Sequence, residues 1–249
     1  MSSSDIEWTE HTWNPITGCT KVSPGCKHCY AETMSHRLRA MGVSGYENGF
    51  KLSLMPDRLE QPLKRKKATT YFVNSMSDLF HEDVPDSYIE QVLNVMSLTP
   101  QHIYQVLTKR GWRLTEFFDK RTSPENLWLG VSVEDKKYGV PRIEELRNVT
   151  VPVRFLSAEP LLEDLGELNL EGIHWVIVGG ESGKGARPMN PEWAENIQRQ
   201  CETQNVAFFF KQWGGWGQDG QKRSKKANGR SLNGQTYDQY PRIEHQMLT

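Results

Sequence analysis

The sequence predicts an α/β fold of partial or complete (β/α) TIM-barrel type with an irregular C-terminal extension. Three observations predict it. Short runs of β-branched and aromatic residues alternate with helix-like segments, which implies βαβ units and a parallel sheet. Roughly seven such runs can be counted by that alternation rule, close to the number a (β/α) barrel needs. The residues that follow the runs are small, polar or charged, as expected where the carboxyl ends of parallel strands build a site. A doubly wound open sheet is the alternative arrangement of the same units.

The elements run in order. A first strand lies near Thr12 to Ile16, and a second at Tyr71-Phe72-Val73. Ile103 to Leu107, Leu127 to Val133, Val153 to Leu156, Trp175 to Val178 and Val206 to Phe210 follow, each bounded by polar turns. Asp86 to Leu98 reads as a helix, because it begins after a proline and sets Ile89, Val92, Leu93 and Met96 on one face. Pro191 to Gln204 reads as another, with Asn190 as N-cap and Pro191 at the first helical position. From Gly214 onward Gly, Asn, Gln, Lys and Arg dominate and apolar periodicity fades. The expected division is a barrel over residues 1–213 and an irregular polar extension over 214–249.

Composition excludes several classes. A chain of 249 residues with 37% hydrophobic and 24% charged residues is globular rather than disordered. A formal net charge of -1 argues against a wholly basic nucleic-acid binder and leaves room only for a local basic patch. No apolar run approaches the roughly 20 residues that span a bilayer, so no membrane role is expected. The first residues are polar and acidic with no signal-peptide core, which makes the cytoplasm the expected location. In a reducing compartment cysteines seldom pair, and three of the four here fall between Cys19 and Cys29. Clustered thiols of that kind read as metal ligands or redox groups. Cys201, inside a helical pattern, reads as an ordinary buried or half-buried thiol.

The cluster has the spacing C-x6-C-x2-C, in Thr17-Gly18-Cys19 through Pro24-Gly25-Cys26-Lys27-His28-Cys29, just after the first strand. Gly18, Pro24 and Gly25 permit a tight loop that can turn several sulfurs toward one point. Three chemistries remain open at this stage. Zinc would need a fourth ligand, for which His28 or His11 is placed. An iron–sulfur cluster normally takes four cysteines, so three leave one iron for an exogenous ligand. S-adenosylmethionine fits that position through its amino and carboxylate groups, and radical chemistry from it is a recognised cofactor class. A redox pair or coincidence is the third reading, because C-x2-C alone is weak.

Longer motifs surround this loop. Trp13-Asn14-Pro15-Ile16-Thr17-Gly18-Cys19 leads into it, and Cys29-Tyr30-Ala31-Glu32 leads out. Further on come Phe72-Val73-Asn74-Ser75-Met76-Ser77-Asp78-Leu79-Phe80, Leu107-Thr108-Lys109-Arg110, Trp128-Leu129-Gly130-Val131-Ser132 and Phe155-Leu156-Ser157-Ala158-Glu159-Pro160. Val178-Gly179-Gly180-Glu181-Ser182-Gly183, Phe210-Lys211-Gln212-Trp213-Gly214 and Gly229-Arg230 to Pro241 complete the set. Across nearly the whole chain this pattern resembles the phage Gp37/Gp68 family, three-cysteine-motif proteins catalogued as a domain of unknown function and related to radical S-adenosylmethionine enzymes. The resemblance implies a partial TIM barrel, a [4Fe–4S] cluster on Cys19, Cys26 and Cys29, and reductive cleavage of S-adenosylmethionine to a 5′-deoxyadenosyl radical. The broader superfamily usually spaces its cysteines C-x3-C-x2-C, and here the first gap is six residues. The residue before the last cysteine is commonly aromatic and near the adenine, and His28 holds that place. A Gly-Gly-Glu-like segment normally follows the second strand to hold the methionyl amine. Ser75, Ser77 and Asp78 stand there instead, whereas Gly179-Gly180-Glu181 follows the sixth strand and does not inherit that role.

With these, Ser132 and Glu134 complete the expected cofactor contacts. Lys109, Glu159, Glu181 and Lys211, at the ends of four strands, are the candidates on the substrate side. The loop Gly179 to Gly185 lacks both nucleotide-binding glycine patterns, so an NTPase is rejected. Two basic runs, Lys64 to Lys67 and Lys222 to Lys226, are the candidate nucleic-acid contacts, the second beside Trp213 and Trp216. The expected partners are an electron donor such as flavodoxin or ferredoxin, a nucleic-acid substrate and a protein encoded by a neighbouring gene. The rival function is a zinc-stapled nucleic-acid-binding module without catalysis.

Overall fold

The computed structural model describes residues 2–4 and 6–242. In chain order β1 is Ser2–Ser3, β2 His11–Trp13 and β3 Ile16–Thr17, followed by α1 (Tyr30–Ala40) and β4 (Ser53–Leu54). Then come β5 (Thr70–Val73), α2 (Asp86–Ser97), β6 (Ile103–Thr108), α3 (Gly111–Phe118), β7 (Leu127–Ser132) and α4 (Pro141–Arg147). The last are β8 (Val153–Ala158), β9 (Trp175–Gly179), α5 (Pro191–Thr203), β10 (Ala207–Gln212) and α6 (Lys225–Asn228).

The main sheet has the order β1-β2-β5-β6-β7-β8-β9-β10, parallel throughout except for the β1–β2 pair. The strands from β2 to β10 follow one another without a reversal, so a doubly wound sheet with a switch point is not what forms. The sheet does not close on itself either. β10 ends the order, and its free edge takes backbone bonds with the C-terminal segment, as in Phe210 N–H to Tyr237 O at 3.0 Å. The fold is a partial barrel.

Strand alternation sorts the two faces. In β7, Leu127, Leu129 and Val131 enter the layer shared with the helices, whereas Trp128 belongs to a second cluster with Phe72, Phe155, Trp175 and Phe209. The helix layer contains Ile89, Val92 and Met96 of α2, all fully buried, each worth about 1.5–3 kcal/mol on burial. The second cluster lines the concave face. Trp8 lies there, 4.6 Å from the Phe72 ring on β5 and 6.2 Å from that of Trp175 on β9. In a flat sheet those two strands would stand roughly 19 Å apart, so one indole reaches both only because the sheet curls. Gly130 belongs to the same face: a Cβ there would meet the Phe155 ring at 2.5 Å. Trp8 fills this interior with aromatic carbon, and the exposed Tyr240 lies at its edge, its ring 5.1 Å from that of Trp175. Polar groups are left at the carboxyl ends of the strands.

The first strand is shorter than the sequence suggests. Pro15 has no N–H to give a ladder, so the sheet strand stops at Trp13, and Ile16–Thr17 pairs instead with Ser53–Leu54 in a separate two-stranded sheet. The cysteine loop leaves from that small sheet. Asn190 caps α5 as expected, its side chain accepting from the Glu192 N–H. The segment after Gly214 has only the short α6 as regular structure, yet Leu232 is buried in the main core. Among the described residues no helix is long and apolar enough to cross a membrane.

Candidate functional site

The loop is built at the carboxyl end of the sheet. Gly18 adopts φ +78°, and a Cβ there would lie 2.1 Å from Lys51 O, so no other residue fits the turn. Cys19 follows, Cys26 closes a 3-10 turn over Pro24–Cys26, and Cys29 sits at the N-cap of α1. All three thiols are free and half-buried, whereas Cys201 is sealed in the core. Arg110 Nη1 donates to Cys19 Sγ at 3.6 Å, and Ser23 Oγ lies 3.8 Å from Cys26 Sγ. Burial, the Asp78 carboxylate and the nearby Cys26 push the Cys19 thiol up to about 12, and the Arg110 guanidinium opposes them. A bound cation would invert that balance, since a coordinating thiol is deprotonated outright. Among the described residues, no three His, Cys, Asp or Glu side chains are gathered closely enough to hold a metal ion. The loop thus carries three thiols whose sulfurs are not drawn together into one site.

A buried charge network anchors this loop. Asp78 Oδ1 accepts from Phe80 N–H (3.0 Å) and Thr108 Oγ1 (2.7 Å), and Oδ2 from Lys109 N–H (3.1 Å) and Arg110 Nη1 (3.0 Å). Arg110, 1% exposed, also donates to Glu82 and, at 2.7 Å, to Thr20 Oγ1. Its guanidinium holds the Glu82 carboxyl down at about 2. Four donors fill the acceptor positions of Asp78. Ser77 Oγ donates to Ile16 O at 2.8 Å and Ser75 Oγ to Asn14 Oδ1 at 3.1 Å. The three side chains expected to meet a methionyl group are thus engaged within the protein. Their neighbour Asn74 is not: it is 3% exposed at φ +58°, and neither amide atom has a partner. Its signal in the sequence is faint. Asn is the common non-glycine residue at positive φ, and it stands immediately after a strand.

Two further carboxylates clamp the loop. Glu134, fully buried, accepts from Ser23 Oγ and from Arg142 Nη1 at 2.7 Å, and a Cβ on Gly25 would meet its Oε1 at 2.9 Å. Glu181 is gripped by Arg187 through Nε (2.8 Å) and Nη2 (2.6 Å), while Arg187 Nη1 reaches Pro24 O at 3.1 Å. His28, exposed, stands against Gly185, where a Cβ would come within 2.9 Å of its ring. Burial works to raise the Glu134 carboxyl, but Lys109, Arg142 and the Ser23 hydroxyl outweigh it and hold it below its ordinary value. Burial opposes Arg187 at Glu181 in the same way, with the same net direction. A depressed folded pKa means stability that is present above the ordinary value of 4.5 and lost as pH falls through the folded value. The protein should melt at a nearly constant temperature between about pH 7 and 5 and lose stability progressively below about 4.5. E181Q should flatten that acid limb. A melting series across this range checks it, and an equally steep limb in E181Q would refute the assignment to this clamp.

On the concave face Glu159 and Lys211 pair. Lys211 Nζ is 3.0 Å from Glu159 Oε1, and Ser157 Oγ donates to Glu159 Oε2 at 3.1 Å. The pair spans β8 to β10 across β9, where Gly179 leaves room: a Cβ there would meet Glu159 Oε1 at 2.7 Å. Ser132 is in register with Ser157 on the neighbouring strand. Tyr30, 58% exposed, donates to Ser75 O and lies within electrostatic reach of both Cys29 and Glu159. Of the four substrate-side candidates, Glu159 and Lys211 therefore meet, Glu181 belongs to the clamp and Lys109 lies at the rim. The tail tryptophans face inward. Trp213 is 2% exposed with its indole N–H on Ser231 O, and Trp216 donates to Ala186 O at 2.7 Å.

The family described as a protein of unknown function (DUF5131) matches residues 3–241. The chain belongs to that family. No curated protein matches the sequence. Among solved structures, spore photoproduct lyase complexed with dinucleoside spore photoproduct is similar at 13% identity and a TM-score of 0.49. That match covers 80% of this chain and 62% of the other. A variant of the same lyase with bound AdoMet and dinucleoside spore photoproduct gives 14% identity, the same coverage and the same TM-score. The chain thus spans 62% of the length of the lyase chains it matches. The partial-barrel assignment rests on this chain's own sheet order.

Proposed function

We propose that this chain is a radical S-adenosylmethionine-type enzyme with a [4Fe–4S] cluster held by Cys19, Cys26 and Cys29. The observation that carries the reading is the placement of three free, half-buried thiols on one loop at the carboxyl end of a partial parallel barrel, with Cys201 sealed away. Three protein ligands leave one iron for an exogenous ligand. When bound, such a cluster with S-adenosylmethionine supplies one-electron cleavage of the sulfonium and hydrogen abstraction by the resulting radical. The protein's own residues position and shield. Arg110 fixes Cys19 and Thr20, and the Glu134 and Glu181 clamps fix the turn carrying Cys26. Asn74, with its unpartnered amide, takes over from Ser75, Ser77 and Asp78 as the contact for a polar cofactor group, alongside Ser132 and His28. Glu159 and Lys211 orient a polar substrate on the concave face. The buried aromatics Trp8, Phe155 and Trp175 keep water out from below. An electron donor of the flavodoxin or ferredoxin class would supply the reducing electron, and a neighbouring-gene product is a further partner to seek.

The test is anaerobic reconstitution with iron and sulfide, followed by dithionite and S-adenosylmethionine. A brown protein with about four irons per chain that forms 5′-deoxyadenosine is the expected result. A colourless protein carrying one zinc per chain would overturn the reading in favour of a zinc-stapled binding module.

A further inference from the structure

Beside the cysteine loop lies a cavity of about 390 Å³. Trp112, in the first turn of α3, and Tyr138, in the β7–α4 loop, line it at 53% and 39% exposure. Both follow strands by a few residues, so they stand at the same end of the barrel as the thiols. With Tyr30 they make three of the four large aromatics that remain exposed among the described residues, and the fourth, Tyr240, belongs to the tail. Two large aromatics exposed along one cavity offer flat faces on which a planar ligand can stack. Two cations flank the rings. Lys137 Nζ lies 5.2 Å from the Tyr138 ring centroid, and Lys109 projects from the loop after β6. Among the described residues neither lysine has a carboxylate within ion-pair distance; of the two acids on the same wall, Glu82 is paired with Arg110 and Glu145 packs against Gly111. That same Arg110 touches Cys19, and Val22 of the cysteine loop lines the cavity too.

Flat aromatic faces, two ammonium groups outside any close ion pair and a nucleoside-sized hollow match one kind of ligand. We propose that this face binds a single-stranded nucleic acid, with a base stacked on Trp112 and Tyr138 and the adjoining phosphates on Lys109 and Lys137. Base–aromatic stacking and backbone charge are what sequence-tolerant single-strand sites combine. The inference builds on the proposed function in that it names the substrate class presented to the same mouth. It also moves the nucleic-acid contact away from the two basic runs in the sequence. Lys222 lies over the Trp216 ring at 5.5 Å, but that indole is tied to Ala186 and is not a free platform.

The experiment is fluorescence polarisation of a short labelled oligothymidylate and a short oligouridylate with the full-length apo-protein at low salt. W112A should weaken binding on the order of tenfold, and W112F should restore most of it, because stacking needs a ring rather than an indole. K109A/K137A should weaken binding and reduce the slope of log affinity against log salt by roughly 1.4, two single-strand phosphate contacts. K64A/K66A and K225A/K226A should bind as the parent does. Trp112 is half in solvent, so circular dichroism of W112A should be unchanged. Absence of binding by the parent protein, or undiminished binding by W112A, would overturn the proposal. So would capture of an acidic electron-carrier protein on this face with no oligonucleotide binding, since it would make the patch a docking site for reduction. No iron or S-adenosylmethionine enters the measurement, so its failure and a failure of the radical chemistry are read independently.

Discussion

R110M should lower the melting temperature of the apo-protein by roughly 10 °C. Arg110 is 1% exposed and bridges Asp78 and Glu82 of the segment after β5 to Cys19 and Thr20 of the cysteine loop. The arm to Asp78 dominates, because that carboxylate is itself only 8% exposed, while Glu82 is 44% exposed and largely screened. Removing one member of a buried pair costs about 3–5 kcal/mol, since the other is left charged and unpartnered. In a domain of this size each kcal/mol moves the melting point by about 2–4 °C. D78N should cost a similar amount, for it breaks acceptance from Lys109 N–H and Thr108 as well as Arg110. The two should be far from additive: D78N/R110M should be less destabilised than the sum, with a coupling of about 1–3 kcal/mol. R110K should rescue little, because an ammonium cannot fork between two carboxylates and a hydroxyl. Denaturant melts of the four proteins measure this. Additive losses would show that Arg110 and Asp78 do not act as one unit.

This network explains what was and was not legible in the sequence. The strands from β5 to β10 could be read because each is a run of β-branched or aromatic residues buried on both faces. The first strand is expected from Thr12 to Ile16, yet Pro15 ends it at Trp13, and the second small sheet that pairs Ile16 with Leu54 depends on a segment 38 residues away. Helices α3 and α4 escaped because they are short, eight and seven residues, and their apolar faces are too brief to show a period. At the site, cysteine spacing was informative because ligands on one loop are local in sequence. The roles of Ser77 and Asp78 were not. Both are polar residues at a strand end, the usual mark of a ligand contact, yet the partners that occupy them lie 61 and 30 residues away. Only the count of donors around each acceptor separates an engaged carboxylate from an available one, and only that count singles out Asn74.

Replacing any one of Cys19, Cys26 and Cys29 by alanine should reduce iron after anaerobic reconstitution from about four atoms per chain to a small fraction of one. 5′-Deoxyadenosine formation should fall to the level without protein. The thermal stability of the apo-proteins should change little, in contrast to R110M. The thiols are half-buried and make only long contacts with sulfur, 3.8 Å from Ser23 Oγ in the case of Cys26. A thiol is a weak donor and a weak acceptor, so its loss removes little. C201A should show the reverse pattern. Its thiol is fully buried in α5, where burial alone pushes it up to about 12, so it behaves as a small apolar side chain. Truncating it should cost on the order of 1 kcal/mol and leave iron content and cleavage intact. The opposed responses separate ligand from structural thiol without assuming the chemistry. If C29A retained full iron, or if C201A lost it, the cluster would have to be built on a different set of sulfurs. If all three variants and the parent bound one zinc equally, the loop would not be a metal site, and the open mouth of the barrel would need another explanation.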